Sequence, residues 1–218
     1  MGINMEQKVY IDFALLDTKI NPKMITKLIG IIPDNELSKG EKNPNLDIPR
    51  QNIWSLQSKI NSEDILLHWE EIDRQLNHAK DTIKTILKDG FGCTTIVMLT
   101  ETCIPKIIIP AKMSQFLGYI GAMIDIDHMQ CPTAEGISVE ITYMDQKKSI
   151  KKIISITNSS DLLDHWNEIK DKIDNINTDI FEIKKLELLI ADNNCIPSIQ
   201  IYPKLLNILG KMNIDITI

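Results

Sequence analysis

Two groups of three residues carry the side chains best suited to chemistry. Each group has an aspartate, then a histidine, then a glutamate, and the six residues are Asp64, His68, Glu71, Asp161, His165 and Glu168. Their spacing of four and then three places each group on one side of a helix. Carboxylates beside an imidazole could bind a metal ion or transfer a proton. The pattern therefore raises the hypothesis of a metal-dependent enzyme or metal-binding module.

A structural role is the stronger interpretation of the same groups. Each polar residue of the first group directly precedes an apolar residue of the helix, namely Ile65, Trp69 or Ile72. One position corresponds to about 100° around the helix axis, which places the group between the core and the solvent. Polar residues at such positions commonly form ladders that stabilise the helix by a few tenths of a kcal/mol. We therefore expect no cofactor and no catalytic residue here.

The helices that would position these groups are written twice in the chain. The stretches NSEDILLHWEEI at 61–72 and NSSDLLDHWNEI at 158–169 agree at eight of twelve positions, 97 residues apart. Apolar residues continue at alternating spacings of four and three as far as Ile86 and Ile183. This periodicity predicts one long amphipathic helix in each half, begun by an Asn-Ser pair and anchored in the core by its tryptophan.

The segments after the long helices also correspond. Each helix is followed in turn by a strand, a turn containing Cys-Ile-Pro, a second strand, a short helix and a last strand. We predict an α+β fold of two repeated modules, each a mostly antiparallel sheet with one long amphipathic helix across a face. The full module is predicted at 1–130 and a shorter, degenerate copy at 131–218. The shorter copy lacks the helix and the polar loop that precede the first long helix.

The first module resembles a known bacterial family. The opening strand VYIDFALL, the helix NPKMITKLIGIIP, the KGE loop, the WSL strand and the ending IIIPAKMSQFLGYIGAMIDID are similar to DUF4279, a domain of unknown function. Residues 8–128 cover the pattern, and 136–218 look like a degenerate second copy. The resemblance implies a fold class but no reaction. Small acidic bacterial proteins of this kind often resemble the immunity partners of secreted toxins.

Charge and composition exclude several classes of protein. The net charge is −6, with 17 acids and 14 bases in residues 1–130 and 13 acids and 10 bases in residues 131–218. Neither part is basic, so binding of nucleic acid is not expected. One lysine cluster, at 147, 148, 151 and 152, is expected to be a solvated strand edge.

The chain also lacks the marks of membrane and secreted proteins. No segment approaches the roughly 20 apolar residues that span a bilayer, and no signal peptide begins the chain. Four irregularly spaced cysteines favour free thiols in a reducing compartment. These features predict a cytoplasmic protein.

Other residues that could do chemistry have simpler explanations. Trp54 is predicted to be a core residue, with a ligand-stacking surface as the alternative. Asp125 and Asp127 share one face of a strand and could bind a cation, but a solvated face is the more common explanation. Cys103 and Cys195 occupy matched turns and have no neighbour in the sequence that would activate a thiol.

The long polar loop at 33–51 is the element we assign to partner recognition, although a merely tolerated insertion is an equal alternative. Its candidate contact residues are Asp34, Glu36, Lys39 and Glu41. The predicted function is a non-enzymatic immunity protein that neutralises a cognate toxin, such as a basic nuclease-type effector, by direct binding. The alternatives are the metal-dependent protein above and a structural subunit that forms a homodimer through its sheet edges.

Overall fold

The computed structural model describes residues 9–41, 51–98, 107–128, 137–145, 148–155, 162–175, 180–190 and 199–217. These ranges contain eleven strands and six α-helices. The strands are β1 (Val9–Leu16), β2 (Asn35–Leu37), β3 (Ile53–Gln57), β4 (Phe91–Met98), β5 (Ile108–Ile109), β6 (Met123–His128), β7 (Ile137–Asp145), β8 (Ile150–Ser155), β9 (Ile180–Ile190), β10 (Ile199–Ile201) and β11 (Ile216–Thr217). The helices are α1 (Pro22–Ile29), α2 (Ile65–Leu76), α3 (Lys80–Ile86), α4 (Ala111–Ile120), α5 (Leu162–Asn175) and α6 (Pro203–Met212).

The strands form two sheets with matching pairing patterns. Sheet A has the order β10-β6-β4-β1-β3-β2, and sheet B has the order β5-β11-β9-β7-β8. In both sheets an antiparallel core is extended by one parallel pair, β4 with β6 and β9 with β11. The predicted α+β class, with mostly antiparallel sheets, is confirmed. The boundary proposed at residue 130 stays a prediction.

Each half of the chain contributes one short strand to the sheet of the other half. β10 comes from the second half but pairs with β6 of sheet A, and β5 comes from the first half but pairs with β11 of sheet B. The registers correspond, because Ile201 faces Ile124 in one sheet and Ile109 faces Ile216 in the other. Each sheet is therefore completed by the opposite half of the chain.

Helices α4 and α6, each of which follows one of the exchanged strands in the chain, pack against each other. Two glycines make the approach close. A Cβ added at Gly118 would lie 2.4 Å from the backbone N of Asn207, and one added at Gly210 would lie 2.7 Å from Cα of Gln115. Such distances are shorter than side-chain packing permits, so both positions require glycine.

Helix α1 begins and ends at the residues that its sequence indicates. Asn21 caps α1 by accepting a hydrogen bond from the backbone N–H of Lys23, and Pro22 occupies the first helical position. Gly30 ends the helix with φ of 71°, a left-handed conformation that glycine adopts without steric cost. The following loop is less irregular than predicted, because residues 35–37 form the edge strand β2.

The predicted long helix of the first half is divided. α2 begins at Ile65, so its cap is Asp64 rather than the Asn-Ser pair, and the Asp64 carboxylate accepts the N–H of Leu66. A 3-10 turn at Asn77–Ala79 separates α2 from α3. The predicted apolar stripe is nevertheless buried along both helices, because the tight turn keeps Ala79 facing the core.

The predicted long helix of the second half is too long. The helix α5 ends at Asn175, and residues 176–179 lie outside the described ranges. Residues assigned to its stripe, Ile180 and Ile183, belong to β9, where they pair with Asp145 and Tyr143 of β7. Isoleucine suits a strand as well as a helix, so spacing alone did not distinguish the two.

The described helices that contact sheet A pack on one face of it. Phe13 of β1 meets Phe116 of α4 edge to face, and Phe116 in turn meets Trp69 of α2. Trp54 and Trp69 are fully buried, and Trp166 is 6% exposed, which confirms all three as core residues. None of the helices in the described ranges is long and apolar enough to cross a membrane.

Candidate functional site

A buried chain of hydrogen bonds joins the start of α2 to the end of β3. Nδ1 of His68 lies 2.8 Å from Oγ of Ser58, whose hydroxyl donates to Oε2 of Glu71 at 2.6 Å. Nε2 of His68 lies 2.9 Å from the carbonyl oxygen of Ser62, and the same Glu71 oxygen accepts the N–H of Lys59 at 2.7 Å. His68 is fully buried. These bonds fasten the helix to its strand.

The geometry of this cluster differs from that of a serine hydrolase. The serine bridges the imidazole and the carboxylate, whereas a catalytic triad has the histidine between the other two. Ser58 is only 7% exposed and His68 is fully buried, so neither faces a space that a substrate could enter.

The same cluster occurs in the second half. Oγ of Ser155 lies 2.9 Å from Nδ1 of His165 and donates to Oε2 of Glu168 at 2.5 Å. His165 and Ser155 are fully buried. Lys172 completes this copy by contacting Oε1 of Glu168 at 2.6 Å and donating to the carbonyl of Ile154. The doubled sequence thus encodes a doubled contact between helix and strand.

The structure does not gather the first predicted metal group around one point. Asp64 caps α2, while both nitrogens of His68 and one oxygen of Glu71 are engaged as described above. Asp161 lies outside the described residues. Within the described ranges there is no group of three or more His, Cys, Asp or Glu side chains arranged to hold a metal ion.

The four predicted partner-binding residues lie around β2, and three make internal contacts through their side chains. Asp34 contacts Lys59 at 2.5 Å and accepts the N–H of Gln57. The Thr26 hydroxyl donates to Glu36 at 2.5 Å. Glu41 and Lys39 project outward. Glu41 is the third residue with a side-chain contact, because it pairs with Lys23 at 3.3 Å, and Lys39 is exposed.

These contacts influence the acidity of two of the four residues. Although burial opposes it, hydrogen bonds from Lys59 and from the Gln57 N–H lower the pKa of Asp34. The N–H of Ser38, followed by Lys23, lowers the pKa of Glu41. Both carboxylates are therefore stably ionised at neutral pH.

A line of polar side chains crosses the face of sheet A opposite the helices. We call it row A, and from β3 to β10 it consists of Gln57, Asp12, Thr95, Asp125 and Gln200. Tyr10 and Phe91 lie on the same face and are 41% and 45% exposed. The face is therefore a broad, partly exposed surface with acidic and amide groups at its centre. Asp127, the other aspartate predicted on this face, has its side chain outside the described part of the structure.

Asp12 is the electrostatically unusual member of row A. Burial raises the pKa of Asp12 above its ordinary value of 3.8, a hydrogen bond from Ser55 opposes the rise, and the Asp34 carboxylate adds to it. Its Oδ1 atom is buried and has no hydrogen-bond partner among the described residues. The protein therefore holds a partly desolvated carboxylate on this face at a cost to stability.

Cys93 lies beside row A on β4. Burial raises the pKa of the Cys93 thiol to about 11, and the charges of Asp125 and Asp12 act in the same direction. The thiol is a free cysteine that stays protonated at neutral pH, so it is a poor nucleophile. The matched turn cysteines, Cys103 and Cys195, lie outside the described residues.

Sheet B has a corresponding line on its own face. We call it row B, and from β8 to β5 it consists of Ile154, Glu140, Glu187, Thr217 and Ile108. Glu140 has a side chain only 7% exposed and is paired with Lys152 at 2.6 Å. Each residue of either row belongs to an ordinary alternating strand in the sequence. Only the strand order and register bring them into line.

The family model for DUF4279, a domain of unknown function, matches residues 7–130. The chain belongs to this family. The DUF4279 match includes all of sheet A except β10, which the second half of the chain supplies. No curated protein and no solved structure matches the chain.

Proposed function

We propose that this DUF4279 protein is a non-enzymatic binding protein whose row A face receives a protein partner. The observation that carries the proposal is the partly buried Asp12 carboxylate, which has an unsatisfied oxygen and a raised pKa. A group that lowers stability in the free protein is commonly retained because it serves binding. A cationic side chain of a partner would compensate Asp12.

The surroundings of Asp12 suit a cationic partner surface. Row A adds the carboxylate of Asp125 two strands away, and the exposed rings of Tyr10 and Phe91 offer apolar and cation–π contacts on the same face. The whole chain carries a net charge of −6, which attracts a basic protein at long range. The proposed partner is accordingly a basic protein.

The most concrete form of the proposal is an immunity protein that neutralises a cognate bacterial toxin in the cytoplasm, such as a nuclease-type effector. Neutralisation would be steric, since a flat sheet face can cover a toxin's active cleft without performing chemistry. The exposed residues around β2, Lys39 and Glu41, would extend the contact at one end of the face.

Co-expression tests this proposal directly. The product of the gene immediately upstream would be induced in a naive bacterium with and without this protein. We expect growth arrest that only this protein relieves, together with a complex that co-purifies. If the upstream product is not toxic and no complex forms, the immunity function is refuted.

Charge-neutral variants then test the surface. Asp12→Asn combined with Asp125→Asn should weaken the complex by about 100-fold, since each lost charged contact costs about 1.5 kcal/mol. Asp171→Asn on exposed α5 is the matched control and should bind normally. A double variant that binds as tightly as the control would remove row A from the interface. A combined change of Asp34, Glu36, Lys39 and Glu41 would test the region around β2 in the same assay.

A further inference from the structure

The first half of the chain, β1 to β6, and the second half, β7 to β11, complete each other's sheets. β10 of the second half lies next to β6 in sheet A, and β5 of the first half lies next to β11 in sheet B. Helices α4 and α6 pack against each other across the same boundary. One stretch of chain, residues 129–136, connects the two halves. Only that connection makes the contact between the halves intramolecular.

The contacts between α4 and α6 are nearly symmetrical. Gly118 of α4 lies against the backbone of Asn207, and Gly210 of α6 lies against the backbone of Gln115. The two glycines are 92 residues apart, and so are Gln115 and Asn207, so each pair occupies corresponding places on the two helices. Each helix therefore makes the same contact to the other that it receives. Such mutual contacts are typical of the interface in a two-fold dimer.

Two polar contacts determine which halves fit together. The Asp215 carboxylate accepts a hydrogen bond from the first backbone N–H of α4 at 2.7 Å, and the side chain of Gln115 donates to Asn213 at 3.0 Å. The corresponding residues of the first half are Met123 and Gly121, which have no side-chain oxygen to accept either bond. Two first halves would therefore lose both contacts. The first half consequently selects a second half as its partner.

We propose that the same surface also joins two copies of this chain, with the first half of each molecule docked on the second half of the other. Each contact described above would form twice in this dimer, so the dimer and the monomer differ only in which chain supplies each half. Exchange of identical elements between copies is a low-cost route to a dimer, and repeat proteins are prone to it. The protein concentration, relative to the effective concentration within one chain, decides between the two states. This proposal does not rest on the function proposed above.

Refolding at two concentrations tests for the dimer. The full-length protein is unfolded in urea and refolded at about 1 µM and at about 1 mM, and sedimentation measures its mass. We expect mainly monomer at the lower concentration and at least about tenfold more dimer at the higher one. The isolated dimer should persist after dilution, because both sheets must open before the halves can return to their own chains. A protein that is monomeric at both concentrations, or a dimer that dissociates at once on dilution, would overturn the proposal.

Two complementary variants identify the surface that the dimer uses. Gly118→Ala and Gly210→Ala each disturb the α4–α6 contact of a monomer, because the added Cβ would overlap the opposite backbone. When the two variants are refolded together, a mixed dimer contains one α4–α6 contact with both glycines intact, which neither variant can form alone. One variant is isotopically labelled, and native mass spectrometry counts the species. We expect at least about tenfold more mixed dimer than dimer of either variant by itself.

Lys112→Ala and Lys204→Ala are the matched control, because these exposed lysines occupy corresponding places on α4 and α6. Their mixture should give random proportions of the labelled, unlabelled and mixed dimers. If the two glycine variants also mixed at random, the dimer would use a different surface and the proposal would be wrong. The absence of any mixed dimer from the two glycine variants would overturn it as well.

Discussion

Row A and row B occupy corresponding positions in the two sheets, yet the carboxylates in the two rows have different partners. In row B, Glu140 is paired with Lys152. In row A, Asp12 has only the hydroxyl of Ser55 in the corresponding place, and one of its oxygens is unsatisfied. Ser55 and Lys152 each precede the serine of the buried cluster by three residues. The same backbone thus carries an ion-paired acid in one sheet and an acid with an unsatisfied oxygen in the other.

This difference indicates that the corresponding acids of the two halves have different roles. Where the acid is neutralised, its contribution is to the stability of the sheet. Where one of its oxygens is unsatisfied, stability is lost and a charged surface is gained. The backbone frame common to the two halves, including the exchanged strands, allows the comparison to be tested by matched substitutions.

The largest expected effect comes from the helix crossing that joins the halves. Gly118→Ala should lower the free energy of unfolding by about 3 kcal/mol, because the added Cβ would overlap the backbone of Asn207. Gly210→Ala should cost a similar amount, since its Cβ would overlap Gln115. Urea unfolding measures both, with exposed Lys112→Ala on the same helix as the control. A loss below about 0.5 kcal/mol in both variants would contradict the close crossing.

The buried histidines test whether the two halves unfold together. His68→Ala and His165→Ala should each cost about 2 kcal/mol, because each removes a buried imidazole that contacts the serine of its cluster and leaves a cavity in its place. Since each sheet borrows a strand from the other half, either change should lower a single common transition. Hydrogen exchange followed in both sheets checks this. Two separate transitions, one for each sheet, would show that the exchanged strands do not couple the halves.

Opposite signs are expected for the two acids of the comparison. Glu140→Gln should lower stability by about 1 kcal/mol, because it removes the charge that pairs with Lys152. Asp12→Asn should raise stability by up to about 1 kcal/mol, because an amide needs no buried charge. Thermal and urea unfolding at neutral pH measure both. If both variants were more stable than the unchanged protein, or both less stable, the proposed difference between row A and row B would be wrong.

The smallest expected effect is the change of folding stability with pH that is due to Asp12. Its pKa is raised, so the folded protein holds the Asp12 proton more tightly than the unfolded chain does. Its contribution to stability is therefore lost as pH rises from 3.8 through the raised folded value. Asp34 acts in the opposite direction, because its lowered pKa makes its contribution disappear as pH falls. Subtracting the unfolding curves of Asp12→Asn from those of the unchanged protein isolates the first contribution.

Much of the local structure follows from the sequence. The strand VYIDFALL, the cap and stop of α1, and the burial of Trp54, Trp69 and Trp166 all depend on alternation, helical spacing and capping. The errors occurred where one pattern fits two structures. The isoleucines at 180 and 183 continue a helical spacing but also suit the strand β9 in which they lie. Neighbouring residues alone do not resolve such a choice.

The candidate surfaces were less accessible to prediction. In the sequence, Asp125 and Asp127 mark one face of their strand, whereas Asp12, Thr95 and Gln200 carry no signal, because a single polar residue in an alternating strand is ordinary. Their alignment depends on β10 crossing to sheet A. For the buried clusters, helical spacing predicts that the histidine and the glutamate share one helix face, but it gives no sign of Ser58 and Ser155, which come from other segments of the chain.

The sequence by itself determined the periodicities, the cap of α1, the acidic charge and the doubling of one helical stretch, because each depends on residues close together in the chain. Tertiary structure alone decided that the halves exchange strands, that the doubled histidines are buried in contacts between helix and strand, and that row A carries an acid with an unsatisfied oxygen. Those outcomes depend on strand order and register, which are set by competition among distant segments for the same sheet edges. The energy that separates the alternatives arises from burial and pairing across the fold, so it has no signature within any one segment.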